Sequence, residues 1–285
     1  WKKKIILLSI PIFFSNMAIP FVGVVDTALM GNLGKTKYLA STSIASSVMT
    51  MIIWSFAFLR MGTVGVVAQL YAKSDYREIL RTLIRNFLFG FFIALIIILF
   101  ESKIIELTND FFTTSKETQE LISTYISLRI LSVPAEFMIY ILIGFYLGIQ
   151  KTKISSLLVI LMSSLNIVLS SLFVLSFNLN VFGVALGTLI ANYVIAIIFT
   201  IYTYKFVVKQ FQISVNVQRL FSIPKILKLL IINFDIFIRT LFLTFSFLWV
   251  TLMGSKLGED YLAINTILLQ FIILAAFFLD AYAFS

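Results

Sequence analysis

The 285-residue sequence contains neither cysteine nor histidine, and charged residues make up only 12% of it. Without cysteine there is no disulfide and no thiolate metal site. Without histidine, any proton transfer within these residues has to use carboxylates. The sequence also lacks a phosphate-binding loop, a nucleophile with an adjacent base, and the paired carboxylates of an intramembrane transferase. We therefore expect neither an enzyme nor a prosthetic cofactor.

Hydrophobic residues, at 60% of the chain, are too abundant for a soluble domain. A membrane span needs roughly 20 apolar residues. Eight stretches qualify, which predicts an all-α polytopic membrane protein with the lipid bilayer as its partner; they lie near residues 5–30, 38–68, 83–100, 121–148, 154–177, 181–206, 226–252 and 261–284. The first stretch is not followed by a small-residue cleavage site, so we expect it to remain as a helix.

The net charge is +9, and the positions of the Lys and Arg residues along the chain indicate the membrane topology. If the amino terminus is cytoplasmic, 14 of the 22 Lys and Arg residues fall in cytoplasmic segments and five fall on the opposite side. This asymmetry obeys the positive-inside rule. The acidic segment 101–120, taken as a loop, then faces outward. The basic residues suit anionic lipid headgroups, and we expect no nucleic-acid partner.

A repeated motif divides the chain. LMGNLGKTKYLA, at Leu29–Ala40, returns as LMGSKLGEDYLA at Leu252–Ala263. A spacing of 223 residues is too long for a solenoid and indicates two homologous bundles. Six spans precede the second copy, so the two halves run parallel, with a transport cleft expected between them. We predict a six-helix lobe over 1–206, a cytoplasmic linker over 207–225, and the first two helices of an incomplete second lobe over 226–285.

Asp26 is the first candidate functional residue, because an ionised group within a span costs about 2.5–3.5 kcal/mol on insertion scales. Its helix also contains Pro11 and Pro20, which lack amide donors and weaken the helix where they lie. A buried carboxylate there can alternate between holding a proton and holding Na⁺ or a cationic substrate. The alternative is that Asp26 only caps or hydrogen-bonds a neighbouring helix.

The fifth and sixth spans carry the second group of candidates. Asn166 and Ser170 are four residues apart and share a helix face. This face could coordinate a cation or line water, and it could equally hydrogen-bond a neighbouring helix. Gly183 and Gly187 form a GxxxG pattern, which favours close helix packing and would allow Thr188 to meet the Asn166 face.

The remaining charges within spans are interpreted mainly as structural. Arg129 and Glu136 lie seven residues apart, and Asp235 and Arg239 lie four apart, so each pair shares a helix face. We expect both to be ion pairs that anchor the bundle. Asp280 has no local partner and is the candidate coupling or substrate carboxylate of the second lobe.

Several segments together resemble one family. They are VVDTALMGNLG, YLA, FLRMGTVGVVAQLYAKSD, NIVLSSLF, VFGVALGTLIANY, DIFIRTLFL, LAINTILLQF and LDAYAFS. This set resembles the multidrug and toxic compound extrusion (MATE) family, and within it the DinF-like branch. The resemblance runs along essentially the whole sequence and suggests truncation after the eighth helix. These 285 residues alone would then be unable to transport.

The resemblance implies a monomeric inner-membrane antiporter of two six-helix lobes. It would export cationic or amphipathic organic compounds, including xenobiotics, by alternating access in exchange for H⁺ or Na⁺. It further implies that Asp26 is the coupling carboxylate, that the first helix bends at Pro11, and that Asn166 and Thr188 belong to the same cation site. Ser170 departs from the family, which often has Asp there, and so removes one carboxylate.

Three other functions remain as alternatives. A flippase for lipid-linked saccharides would share the two-lobed fold but needs a strongly cationic cavity for its anionic headgroup. A membrane-embedded enzyme would need catalytic groups clustered at one depth. A receptor or scaffold that does not transport would need no coupling residue.

Overall fold

The structure, a computed structural model, describes residues 2–112, 114–211 and 223–258 without interruption, together with short pieces between 261 and 276. Over these residues the chain is helical and contains no strand. The helices are α1 (Lys2–Gly31), α2 (Thr36–Ser55), α3 (Phe58–Ala72), α4 (Tyr76–Leu99), α5 (Glu101–Phe111), α6 (Lys116–Gly148), α7 (Thr152–Ser171), α8 (Asn180–Phe211) and α9 (Ile223–Leu257). A short π-helical turn, Leu172–Ser176, follows α7.

Six helical stretches in the described part are long and apolar enough to cross a membrane. They are Thr36–Ala72, Tyr76–Leu99, Lys116–Gly148, Thr152–Ser176, Asn180–Lys209 and Phe237–Leu257. Large apolar side chains face outward from them, among them Phe92 and Phe242, which are 61% and 64% exposed. Such surfaces suit lipid rather than water. The prediction of an all-α polytopic membrane protein is confirmed.

Several predicted boundaries were wrong. The span predicted over 38–68 consists of α2 and α3, separated by a turn at Phe56 and Ala57. The segment 101–120 is not an open loop, because it contains α5 and the start of α6, whose first turn is capped by Ser115. Helix α8 continues to Phe211, inside the range predicted as linker. Residues 212–222 lie outside the described part, and α9 then begins with Pro224 in its first turn.

Helix α6 lies at the centre of the first lobe and packs against α2, α3, α4 and α8. Many of its large apolar side chains are fully enclosed, including Ile130, Phe137 and Ile141. Two glycines set its distance from α3. A Cβ at Gly144 would lie 2.6 Å from the carbonyl oxygen of Arg60, and one at Gly148 would lie 2.8 Å from the Val67 Cβ. The close α3–α6 approach therefore requires glycine at both positions.

Helix α9 packs against α2 and α3 of the first lobe. The hydroxyls of Ser47 and Thr251 lie 3.3 Å apart, and those of Ser55 and Thr244 lie 3.5 Å apart. The Phe237 ring contacts Phe56 and Phe58, with centroid distances of 5.8 and 5.9 Å. The chain after residue 222 therefore contacts the preceding helices through α9.

The sequence repeat is also a repeat of local structure. Helices α1 and α9 are each followed by a glycine with positive φ, +69° at Gly34 and +122° at Gly258. In both cases the glycine N–H donates to the carbonyl three residues earlier, at 3.4 Å. A left-handed residue after a helix strongly favours glycine. Each copy of the motif thus has a positive-φ glycine shortly after its helix, although α1 ends three residues before Gly34 and α9 ends directly before Gly258.

Candidate cation site

Asp26 lies in the last turns of α1, a helix that packs along α7. The residue as a whole is partly buried, but its Oδ1 is fully enclosed and accepts no hydrogen bond from any residue that the structure describes. Arg129 and Tyr125 of α6 are close enough to interact electrostatically with it. An enclosed carboxylate oxygen without a donor is energetically unfavourable and therefore able to attract a cation.

A chain of hydrogen bonds joins the three neutral candidates on α7 and α8. Ser170 donates to the Oδ1 of Asn166 at 3.2 Å, and the Nδ2 of Asn166 donates to the Oγ1 of Thr188 at 3.0 Å. Thr188 in turn donates to the Val184 carbonyl at 3.0 Å. All three side chains are buried. The structure thus brings them together and makes them an interhelical contact, while their oxygens keep lone pairs for a further partner.

Two glycines bring α8 close enough for this contact. A Cβ at Gly187 would lie 2.7 Å from both the backbone nitrogen and the Oγ of Ser170. One at Gly183 would lie 3.1 Å from the Phe173 Cβ. Helix α8 therefore approaches α7 as closely as its backbone allows, and Thr188, next to Gly187, is carried against Asn166. The GxxxG pattern acts here as a packing device.

Beside Asp26, α6 carries a charged cluster centred on Glu136. Arg129 forms an ion pair with the Oε1 of Glu136. Ser132 lies between them, accepting from Arg129 at 2.8 Å and donating to Glu136 at 2.7 Å. The Nδ2 of Asn192, on α8, donates to the same Oε1 at 2.9 Å. Sequence reasoning missed Asn192, although it lies four residues after Thr188 in an apolar helix, on the same face.

Other candidates contribute less. Helix α1 runs without interruption through Pro11 and Pro20, and Pro20 is buried. The side chain of Pro11, that of Asp235 and the whole of Asp280 lie outside the described part. Arg239 is exposed. The structure therefore says nothing of an Asp235–Arg239 pair, and that pair stays a prediction.

A second buried charged pair, Glu78 and Arg85, was not predicted, because the predicted span began at residue 83 and left Glu78 outside it. Helix α4 begins at Tyr76, seven residues before the predicted span. Arg85 donates to Glu78 at 2.8 Å, and both side chains are buried. The seven-residue spacing, the same as that between Arg129 and Glu136, is the signal that could have revealed this pair. Over the described residues, no three metal-ligating side chains of the His, Cys, Asp or Glu type come together.

The chain is similar in sequence to one family model and to proteins of known name. A family model described as MatE matches residues 11–172. DNA damage-inducible protein F of Escherichia coli (strain K12) is 31% identical over 278 residues, which cover 98% of this chain and 60% of that protein. Multidrug export protein MepA of Staphylococcus aureus (strain bovine RF122 / ET3-1) is 26% identical over 216 residues, 76% of this chain and 47% of that protein.

Among solved structures, a MOP superfamily transporter from Pyrococcus furiosus matches with a TM-score of 0.85 at 20% identity. The match covers 99% of this chain and 62% of the other. The chain therefore spans between about half and two thirds of the proteins it resembles.

Proposed function

Since the chain belongs to the MatE family of multi-pass membrane transporters, we propose that the protein is a secondary antiporter that exports cationic or amphipathic organic compounds. Export is driven by the entry of H⁺ or Na⁺ through alternating access between two lobes. The protein acts as a monomer in the inner membrane, with its amino terminus in the cytoplasm. One of the similar proteins is a multidrug export protein by name, which supports multidrug export as the activity.

One observation carries the proposal: the Oδ1 of Asp26 is enclosed by protein and has no hydrogen-bond donor in the described part of the chain. Ionised carboxylates within a membrane are costly unless they are paired or bind a cation. A proton or Na⁺ at Asp26 would neutralise that charge. The energy gained on binding can then favour one conformation over another, which is the requirement for coupling.

Asn166, Ser170 and Thr188 supply neutral oxygens beside the helix that carries Asp26. In this family the position of Ser170 often holds Asp, so a second carboxylate is missing from the set. Sodium is a hard cation that prefers several oxygen ligands, with negative charge among them, whereas a proton needs a single carboxylate. The residues present therefore favour H⁺ as the driving ion.

Two further roles complete the proposal. Bending of α1 at Pro11 or Pro20, where the helix lacks amide donors, would change the surroundings of Asp26 between the two conformations. Asp280 would supply a carboxylate in the second lobe for coupling or for a cationic substrate.

A flippase for lipid-linked saccharides fits the described interior less well. Such a protein must bind an anionic headgroup, which calls for cationic side chains free to reach it. The arginine beside Asp26 is instead bound to Glu136, so the three charges sum to a negative value. The interior of this lobe therefore suits a cation better than an anion.

The test is efflux of a fluorescent organic cation from vesicles that contain the complete protein, with pH and Na⁺ gradients imposed separately. Asp26→Asn removes the charge at nearly constant volume, and we expect it to lower gradient-driven efflux by about 100-fold or more, as for loss of an essential acid–base group. Asp110→Asn, an exposed carboxylate on α5, is the matched control and should leave efflux unchanged. Undiminished efflux in Asp26→Asn would move the coupling role to Asp280.

A further inference from the structure

Three charged side chains lie together near the end of α1: Asp26, Arg129 and Glu136. When all three are ionised the cluster carries one net negative charge, and a single bound monovalent cation makes it neutral. Arg129 is the one cation of the described residues that acts on Asp26. Whether Arg129 pairs with Asp26 or with Glu136 therefore decides how strongly Asp26 attracts an arriving cation.

Arg129 is committed to Glu136 in this structure. The Oε1 of Glu136 accepts from Arg129, from Ser132 at 2.7 Å and from Asn192 at 2.9 Å. The Oδ1 of Asp26 accepts from none of the described residues. The same arginine is thus within electrostatic reach of two carboxylates but is hydrogen-bonded to one. A guanidinium carries five N–H donors, so Arg129 has the donors to bond either carboxylate.

The helix between the two ends of this ion pair is weakened. Pro134 lies between Arg129 and Glu136 on α6 and supplies no amide hydrogen to the turn before it. A small change in the bend of α6 at Pro134 would alter the separation of the two side chains. Exchange of Arg129 between its partners can therefore accompany a conformational change of the lobe.

Resting on the antiport function above, we propose that Arg129 is a tethered cation that pairs with Asp26 after the transported cation has left, and returns to Glu136 when a new cation binds. Glu136, held by Ser132 and Asn192, sets how strongly Arg129 competes for Asp26. An emptied site is then never left as a bare carboxylate in a low-dielectric interior. Arg129 and Glu136 are positioning residues in this scheme, and the transported ion touches Asp26.

The described cations of α2 and α7 do not replace Arg129. The sole charged residue of α7, Lys153, is exposed. At the start of α2, Lys37 is bound to Glu117 at 2.6 Å. The hydroxyl of Tyr193, on α8, donates to the Leu131 carbonyl at 2.9 Å. Tyr125 lies beside Arg129 and bonds it rather than carrying charge of its own.

The experiment measures the concentration of driving cation that gives half-maximal efflux from vesicles containing the complete protein. Glu136→Gln releases Arg129 towards Asp26, so the driving cation must displace it, and we expect the half-saturating concentration to rise by about tenfold. Adding Arg129→Gln to that variant removes the competitor and should return the value to the wild-type level or below it. If the ion pair were purely structural, the half-saturating concentration of the double variant would be as high as that of the single variant, or higher.

Glu78→Gln is the matched control, because it removes the carboxylate of another buried pair, with Arg85, away from Asp26. Its half-saturating concentration should equal that of the wild type. If Glu136→Gln does not accumulate in folded form, Glu136→Asp keeps the charge but shortens the reach to Arg129, and a smaller rise is expected.

An unchanged half-saturating concentration in folded Glu136→Gln or Glu136→Asp would overturn the proposal, as would a double variant that stays as impaired as the single. These outcomes differ from failure of the antiport function itself, in which the wild type shows no cation-driven efflux.

Discussion

At the residue scale, the proposed cation site depends on a residue that carries no functional group. Asn166 and Thr188 meet at 3.0 Å because Gly187 lets α8 contact the backbone of Ser170. A methyl group at Gly187 would overlap with backbone atoms, which cannot move aside as a flexible side chain can. Overpacking of this kind costs about 1–3 kcal/mol.

Gly187→Ala is therefore expected to separate α8 from α7, lower the melting temperature of the detergent-solubilised protein and weaken its response to the driving cation. The measurement is fluorescence-detected thermal unfolding, with the half-saturating cation concentration determined in parallel. Gly65→Ala is the control, because a Cβ there meets no atom within 4 Å. A Gly187→Ala protein as stable and as responsive as Gly65→Ala would show that the close approach is dispensable.

The site residues differ in how visible they are in the sequence. Asp26 and Asn166 are conspicuous because a polar side chain in an apolar span is costly unless it has a partner or a role. Their surroundings are not visible, since Asn192 reaches Glu136 across 56 positions of sequence. The buried Glu78–Arg85 pair was missed for another reason: Glu78 lies outside the predicted span 83–100, whereas α4 begins at Tyr76.

At the element scale, α6 organises the first lobe. Among the glycines that the structure describes, Gly144 of α6 has the shortest distance from an added Cβ to a neighbouring helix, which is α3. A Cβ at Gly144 would lie 2.6 Å from the Arg60 carbonyl and 2.8 Å from the Thr63 Cβ. The Oγ1 of Thr63 also accepts from Asn86 at 2.8 Å, which links α3 to α4. Displacing α3 would therefore disturb both contacts at once.

Gly144→Ala is expected to reduce the folded yield several-fold, because the new methyl group meets backbone that has no space to retreat. The yield is measured as the monodisperse peak in size-exclusion chromatography after mild detergent extraction. Gly31→Ala, where a Cβ meets nothing within 4 Å, should extract normally. Equal yields for the two variants would contradict a packing role for Gly144.

Helix ends were harder to predict than helices. Residues 53–59, around the break between α2 and α3, are apolar except for Ser55, so hydropathy contains no sign of the break. At that break the Phe56 ring packs against Phe137 and Phe237, with centroid distances of 5.2 and 5.8 Å. These contacts come from α6 and α9, which are distant in sequence, so the turn is a tertiary feature.

At the scale of the whole molecule, α9 packs against α2 and α3, the helices on which the proposed contact between lobes depends. Alternating access requires contacts between lobes to open and close. The small hydroxyl pairs between α2 and α9 are suited to such a contact, because single hydrogen bonds between Ser and Thr are weak, at about 0.6–2 kcal/mol in membranes. They could part without large loss of stability.

Ser47→Cys combined with Thr251→Cys tests this contact in a chain that otherwise lacks cysteine. The native hydroxyls lie 3.3 Å apart, so we expect a disulfide to form on mild oxidation and to stop efflux, with recovery after reduction. Loss of maleimide labelling reports the cross-link. Ser47→Cys alone should remain active under oxidation, and a fully cross-linked yet active protein would show that α2 and α9 stay together during transport.

Sequence alone determined the class of protein, the approximate positions of the spans and the repeat, and it predicted the candidate site residues, because lipid penalises every polar group that lacks a partner or a function. The tertiary structure decided where helices break, that Gly144 and Gly148 set the α3–α6 distance, and that Asn192 joins the predicted Arg129–Glu136 pair. Those features depend on atoms brought together from distant parts of the chain, and no local pattern encodes that arrangement.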